Sequence, residues 1–190
     1  MSTPELRTVL GLVADVLETL QIPFVVGGSI ASAVHGVARA TVDVDISVGI
    51  RPEHIASFVD RLKAEFYMDR EAILDAVSRR ESFNLIHLGS MLKVDVFVSP
   101  DTPFQRSVMS RRRPQPLDES PAARAFPLQS PEDVILQKLL WYRTGGEVSE
   151  RQWRDVAGVL RVQAGSLDDD YLASWAEELG IADLLARVRA

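Results

Sequence analysis

The 190-residue chain contains no cysteine and only three histidines. Disulfides, thiolate zinc sites and a cysteine nucleophile are therefore excluded, and His35, His54 and His87 are scattered without metal-ligand spacing. Basic residues are in deficit, with 21 Lys and Arg against 27 Asp and Glu for a net charge of −6. That balance argues against wholesale coating of nucleic acid while leaving room for a local basic patch. Long apolar runs are missing too: no segment approaches the roughly 20 residues needed to cross a bilayer. The first apolar stretch is broken by Asp15 and Glu18 and reads as an amphipathic helix rather than a leader. Ser29 has no nucleophile-elbow motif around it, which disfavours a serine hydrolase. What remains is a hydrophobic fraction of 46%, that of an ordinary globular protein, expected to be cytoplasmic with no membrane partner.

Apolar periodicity predicts a first helix from Pro4, with Leu6, Val9, Leu10, Val13, Val16, Leu17 and Leu20 on one face. A short strand, Phe24 to Val26, runs into Gly27-Gly28, and Ser29 is positioned to cap a helix from Ile30 to about His35, which Gly36 stops. A helix is expected from Pro52 to about Phe66 and another from Glu71 to Arg80. Ser82–His87 and Leu92–Val98 read as a hairpin turning at Gly89-Ser90. Residues 99 to 131 hold seven of the ten prolines and the run Arg111-Arg112-Arg113. They read as an extended connector with one short strand near Phe126-Pro127-Leu128. Ser130-Pro131-Glu132-Asp133 is a strong helix start, Ser149 and Gln152 suggest a capping box, and short helices finish the chain. Residues 1–105 are expected to form a core, and 106–190 a Pro-rich connector and helical section, within one compact unit.

The chemistry concentrates in two places. Asp43 and Asp45 lie on a predicted strand whose alternation points both carboxylates one way and Val42, Val44, Ile46 and Val48 the other. Like charges so close favour protonation of one unless a cation intervenes, and Asp oxygens suit hard ions such as Mg²⁺ or Mn²⁺. Asp95, on the second strand of the hairpin, is opposite in facing to Val94 and Val96. If the two strands are neighbours, three carboxylates converge in the manner needed for two metal ions in phosphoryl transfer. Asp43 and Asp45 would then hold the ions, and Asp95 would ligate one while accepting a proton from the attacking hydroxyl. The Gly27-Gly28-Ser29 turn at a helix start can admit a phosphate to backbone N–H groups. A solvated acidic face and an ordinary tight turn are the plainer readings of these same residues. The arginine run reads as a phosphate-binding patch or as a solvated loop, and Trp141, Trp153 and Trp175 as core.

Gly27-Gly28-Ser29, thirteen residues, then Asp43-Val44-Asp45-Ile46 resembles the signature of the DNA polymerase β-like nucleotidyltransferase superfamily. His35-Gly36 and Arg39-x-Thr41-x-Asp43 resemble versions in the abortive-infection type IV toxin and antibiotic nucleotidyltransferases. Asp95 matches the third carboxylate, Lys138 and Arg143 resemble the toxin group's Lys-x4-Arg motif, and Asp155 the acid on its following helix. The resemblance implies an α/β fold, a mixed β-sheet flanked by helices with a helical C-terminal section that closes over the nucleotide. It also implies a nucleoside triphosphate substrate such as ATP, two Mg²⁺ ions (or Mn²⁺), and transfer of a nucleoside monophosphate. In it Gly27, Gly28 and Ser29 hold the triphosphate and Lys138 contacts the leaving phosphates, an exposed helix lysine being the even alternative. Arg39, Thr41 and Asp155 stand behind the site, although pairing with Arg151 is the plainer reading of Asp155, and Arg143 suits a structural role near its helix end. The implied acceptor is RNA, tRNA for instance. A small-molecule antibiotic-type acceptor and a non-catalytic domain docking an antitoxin are the alternatives.

Overall fold

The computed structural model describes residues 4–38, 41, 43–118, 120 and 123–190. Helix α1 (Pro4–Thr19) buries the expected stripe Leu6, Val9, Leu10, Val13 and Leu17. It is followed by β1 (Phe24–Val26), α2 (Gly28–His35) and β2 (Asp43–Val48). A 3₁₀ turn at Pro52–His54 leads into α3 (Ile55–Leu62), then β3 (Phe66–Tyr67), α4 (Arg70–Arg79), β4 (Ser82–His87) and β5 (Lys93–Val98). The second half comprises α5 (Pro103–Arg111), β6 (Arg113–Pro116), β7 (Ala125–Leu128), α6 (Pro131–Thr144), α7 (Glu150–Val162), α8 (Asp169–Glu178) and α9 (Ala182–Arg189).

The strands form one seven-stranded mixed sheet in the order β3-β4-β5-β2-β1-β7-β6. β2 runs parallel to β5 and antiparallel to β1, while β7 joins β1 in parallel at Val26 and Leu128. On one face Val44, Ile46, Val48, Val94, Val96, Phe83 and Leu85 are buried, in a core they share with α1, α3 and α4. The opposite face carries the alternate residues of β2 and β5 at intermediate exposure. It is partly covered by α2, against which α6 and α7 pack. Over β4 that face stays open, with Ser82 and Asn84 exposed.

Three local expectations are corrected. The helix predicted to reach Phe66 ends at Leu62, and Phe66 pairs with His87 as an edge strand. Its ring buries against the core and meets the His87 ring at 5.3 Å, a tertiary gain that the helical period alone cannot register. The connector holds the expected strand near Phe126 as β7, and in addition a capped helix, α5, and the edge strand β6. Thr102 caps α5 through the Gln105 N–H, with Pro103 in the first turn, where a missing donor costs nothing. Pro114 and Pro116 sit on the edge strand β6, the other position that tolerates proline. Third, α2 begins at Gly28 with Gly27 as its cap residue, so the Ser29 hydroxyl lies within the first turn and makes no cap.

Candidate active site

Parallel pairing of β2 with β5 sets Asp45 opposite Asp95 and Asp43 opposite Lys93. Neighbouring strands lie about 4.8 Å apart and paired residues share a face. Asp43, Asp45 and Asp95 therefore occupy one face, in two adjacent rows. Antiparallel pairing extends the central row outward, with Asn84 opposite Asp95. From the other side the row meets the glycine turn: Gly27 N–H donates to the Asp45 backbone oxygen at 3.0 Å, and Ser29 N–H donates to Asp45 Oδ2 at 3.3 Å.

Gly28 explains why this turn carries glycine. Its φ of +54° is left-handed, and a Cβ there would lie 1.9 Å from Asp45 Oδ2. Only the absence of a side chain lets the first turn of α2 rest on the carboxylate. At Gly27 a Cβ would meet Gln129 Oε1 at 2.8 Å. The Gln129 side chain is buried against the turn, and its Oε1 accepts no hydrogen bond among the described residues.

Burial raises the pKa of Asp45, and the charges of Asp95 and Asp43 raise it further, against the Ser29 N–H and the Lys138 charge, which lower it. The carboxylate repulsion expected from the sequence is thus present at Asp45. Lys93 Nζ is 2.9 Å from Asp95 Oδ2. Its hydrogen bond to Asp95 leads the influences that raise its pKa, and the charges of Asp43 and Asp45 act in the same direction. As the side chains are set here, no three His, Asp or Glu side chains among the described residues form a ready metal cage. The ammonium of Lys93 and the N–H of Ser29 hold carboxylate oxygens that such a cage would use. The donor set nevertheless fits a hard divalent ion: carboxylate oxygens only, on rigid strands, with one acid destabilised as an anion by burial and by its acidic neighbours.

Lys138 and Asp155 come together as a buried ion pair, Nζ to Oδ2 2.8 Å, with side chains 6% and 7% exposed. The Ser32 hydroxyl donates to the same carboxylate oxygen at 3.4 Å, joining α2, α6 and α7. Sequence spacing offers Asp155 a partner in Arg151, one turn away on its own helix; tertiary packing supplies Lys138 instead. Neither residue has the exposed setting of an ordinary helix lysine or acid. The Thr41 hydroxyl donates to the Asp43 backbone oxygen at 3.2 Å. Arg39 lies outside the described residues. His35 donates from Nε2 to the Gln129 carbonyl at 2.8 Å, and burial lowers its pKa, so the neutral ring serves as a strut between α2 and the segment after β7.

Arg143 pairs with Asp183 and with Glu147 at the far end of α6, in keeping with a structural role. The arginine run does not form a phosphate patch as a unit. Arg111 pairs with Glu132 at 3.0 Å and lies 3.9 Å from the Tyr171 ring centroid. Tyr171 in turn donates to Asp133 at 2.7 Å, so this network ties α5 and α8 to the start of α6. Of the tryptophans, Trp141 is partly exposed and packs on Phe97, which follows Asp95 by two residues on the same face, with ring centroids 5.4 Å apart. Sequence reasoning missed Lys93, Gln129 and Phe97. Alternation along β5 carried a signal for two of them, since Lys93 and Phe97 flank Asp95 at two-residue spacing.

No family model matches the sequence, and no curated protein matches it either. Solved structures do resemble it. ANT(2'')-Ia in complex with adenylyl-2''-tobramycin superposes with a TM-score of 0.58 at 12% identity, covering 92% of this chain and 97% of that one. An antigenic nucleotidyltransferase-like protein from Paracoccidioides brasiliensis gives 0.57 at 17% identity, with coverage of 100% and 94%. A putative nucleotidyltransferase from Thermotoga maritima gives 0.51 at 18%, with 82% and 96% covered. At these identities the likeness establishes the fold: the chain has the nucleotidyltransferase architecture, a mixed sheet flanked by helices.

Proposed function

We propose that the chain is a metal-dependent nucleotidyltransferase, with Asp43, Asp45 and Asp95 as its catalytic acids. The observation that carries this reading is the parallel register of Asp45 and Asp95 beside a glycine turn shaped around Asp45. A divalent ion held by Asp43, Asp45 and Asp95, Mg²⁺ or Mn²⁺, would neutralise charge developing on the phosphate chain. The N-terminus of α2 at Gly27, Gly28 and Ser29 would hold the triphosphate. Asp95 accepts the proton of the acceptor hydroxyl as its oxygen bonds to the α-phosphorus. The bond from phosphorus to the bridging oxygen breaks, and pyrophosphate leaves with the electron pair. Lys138, engaged by Asp155, acts from behind the site by fixing α2 and placing positive charge near Asp45. Thr41 holds the strand entry to Asp43.

RNA remains the preferred acceptor on the sequence motifs. A small hydroxylated molecule is the second reading. It is favoured by the match in length and fold to ANT(2'')-Ia, whose complex holds adenylyl-2''-tobramycin, and by the open sheet face at Asn84. The test is incubation with Mg²⁺ and each α-labelled nucleoside triphosphate, with total tRNA in one arm and an aminoglycoside or lincosamide in another. Label should appear on one acceptor and be lost in Asp45→Asn protein. Absence of both label transfer and Mg²⁺-dependent nucleotide binding would refute catalysis and favour a docking role with a protein partner.

A further inference from the structure

Within the proposed metal-dependent reading, the acid rows contain a cation of their own. Lys93 stands directly across from Asp43 and two residues before Asp95 on the shared face. Its ammonium reaches Asp95 Oδ2 at 2.9 Å, and its side chain remains 43% exposed. A lysine aimed into a carboxylate cluster from the same sheet face satisfies the charge that a divalent ion would otherwise satisfy. The flexible four-carbon stem and the solvent-facing side let it withdraw without disturbing the strand.

We infer that Lys93 is a built-in competitor of the divalent ion: it holds the acids together without metal and must leave Asp95 when metal binds. As a positioning residue it acts through Asp95, setting the ion concentration at which the centre fills. An ion pair of this exposure contributes modestly, but Asp43 and Asp45 also act on the same ammonium. Removing the competitor should tighten divalent binding about three- to tenfold.

The experiment is Mn²⁺ titration of the full chain without nucleotide, read by loss of the free Mn²⁺ electron-paramagnetic signal, for wild type, Lys93→Met, Lys93→Gln and Lys93→Arg. Asp45→Asn serves as the control for binding at this site. Tighter binding in the Met and Gln proteins, with near wild-type affinity in the Arg protein, is the expected result. A merely structural lysine would leave the affinity unchanged, and a lysine that helps build the metal site would weaken binding on removal; either result overturns the inference while leaving the metal centre intact. If neither wild type nor Lys93→Met binds Mn²⁺ in an Asp45-dependent way, the metal reading itself fails and the inference falls with it.

Discussion

Gly28→Ala tests the glycine turn where its geometry is most demanding. The left-handed φ of +54° costs an alanine about 1–2 kcal/mol. The new Cβ would sit 1.9 Å from Asp45 Oδ2 and 2.6 Å from Asp45 Cβ, so the carboxylate must swing away and give up the Ser29 N–H, and the backbone of the turn must shift as well. A hydrogen bond to a charged group is worth about 1.5–3 kcal/mol, and the 3.3 Å length of this one points to the lower end. A total loss of at least about 2–4 kcal/mol is expected, a fall in Tm of about 5–15 °C or more for a chain of this size. Urea and thermal unfolding of the metal-free protein measure it. The cause is isolated by repeating the substitution in an Asp45→Gly background. Asp45→Ala would not serve, because the Asp45 Cβ itself lies 2.6 Å from the point the new methyl group would occupy. With the obstacle removed, the cost should shrink to the backbone penalty of about 1–2 kcal/mol. Equal costs in both backgrounds, or a loss below about 0.5 kcal/mol in the first, would refute the close packing of turn on carboxylate.

Lys138→Ala should destabilise by about 3–5 kcal/mol by stranding the buried Asp155, and the added loss from Asp155→Ala in that protein should be far smaller than from Asp155→Ala alone; additive urea-denaturation losses would contradict the pair. Tyr171→Phe removes the donor to the fully buried Asp133 and should cost about 1–3 kcal/mol in guanidinium unfolding, with a neutral result counting against the network. Burial raises the Asp45 pKa from its usual 3.8, so the folded state holds a proton that the unfolded state releases. The resulting stability is fully present below pH 3.8 and is lost as pH rises through the folded value. Asp45→Asn should therefore stabilise the metal-free protein at pH 7 and lose that advantage below pH 3.8; urea midpoints that are no higher at neutral pH would contradict this.

The period-two alternation around Asp43, Asp45 and Asp95 made the acid face legible, because a strand with one buried row must send its other residues the opposite way. The hairpin of β4 and β5 was equally legible from its turn residues. The parallel seat of β5 beside β2 was not, since residues 49 to 92 intervene and only packing of the whole sheet decides it. Proline misled in the segment after β5: composition reports that a residue breaks structure, but not whether it sits in a first helical turn or on a sheet edge. Lys138 and Asp155 were visible as candidates through motif likeness, yet their pairing depends on how α6 meets α7. Phe66 shows the same limit at smaller scale, ending a helical pattern because an edge position beside β4 was open to it.

The seating of β7 against β1 carries a consequence for biosynthesis. The strand that leads into the glycine turn acquires its second neighbour only from residues 125 to 128, about a hundred positions later in translation. Until that stretch has left the ribosome, β1 has an unpaired edge and Gln129 cannot brace Gly27. The nascent chain must therefore carry an unfinished sheet through most of its synthesis, with the edge of β1 beside the glycine turn exposed until β7 arrives.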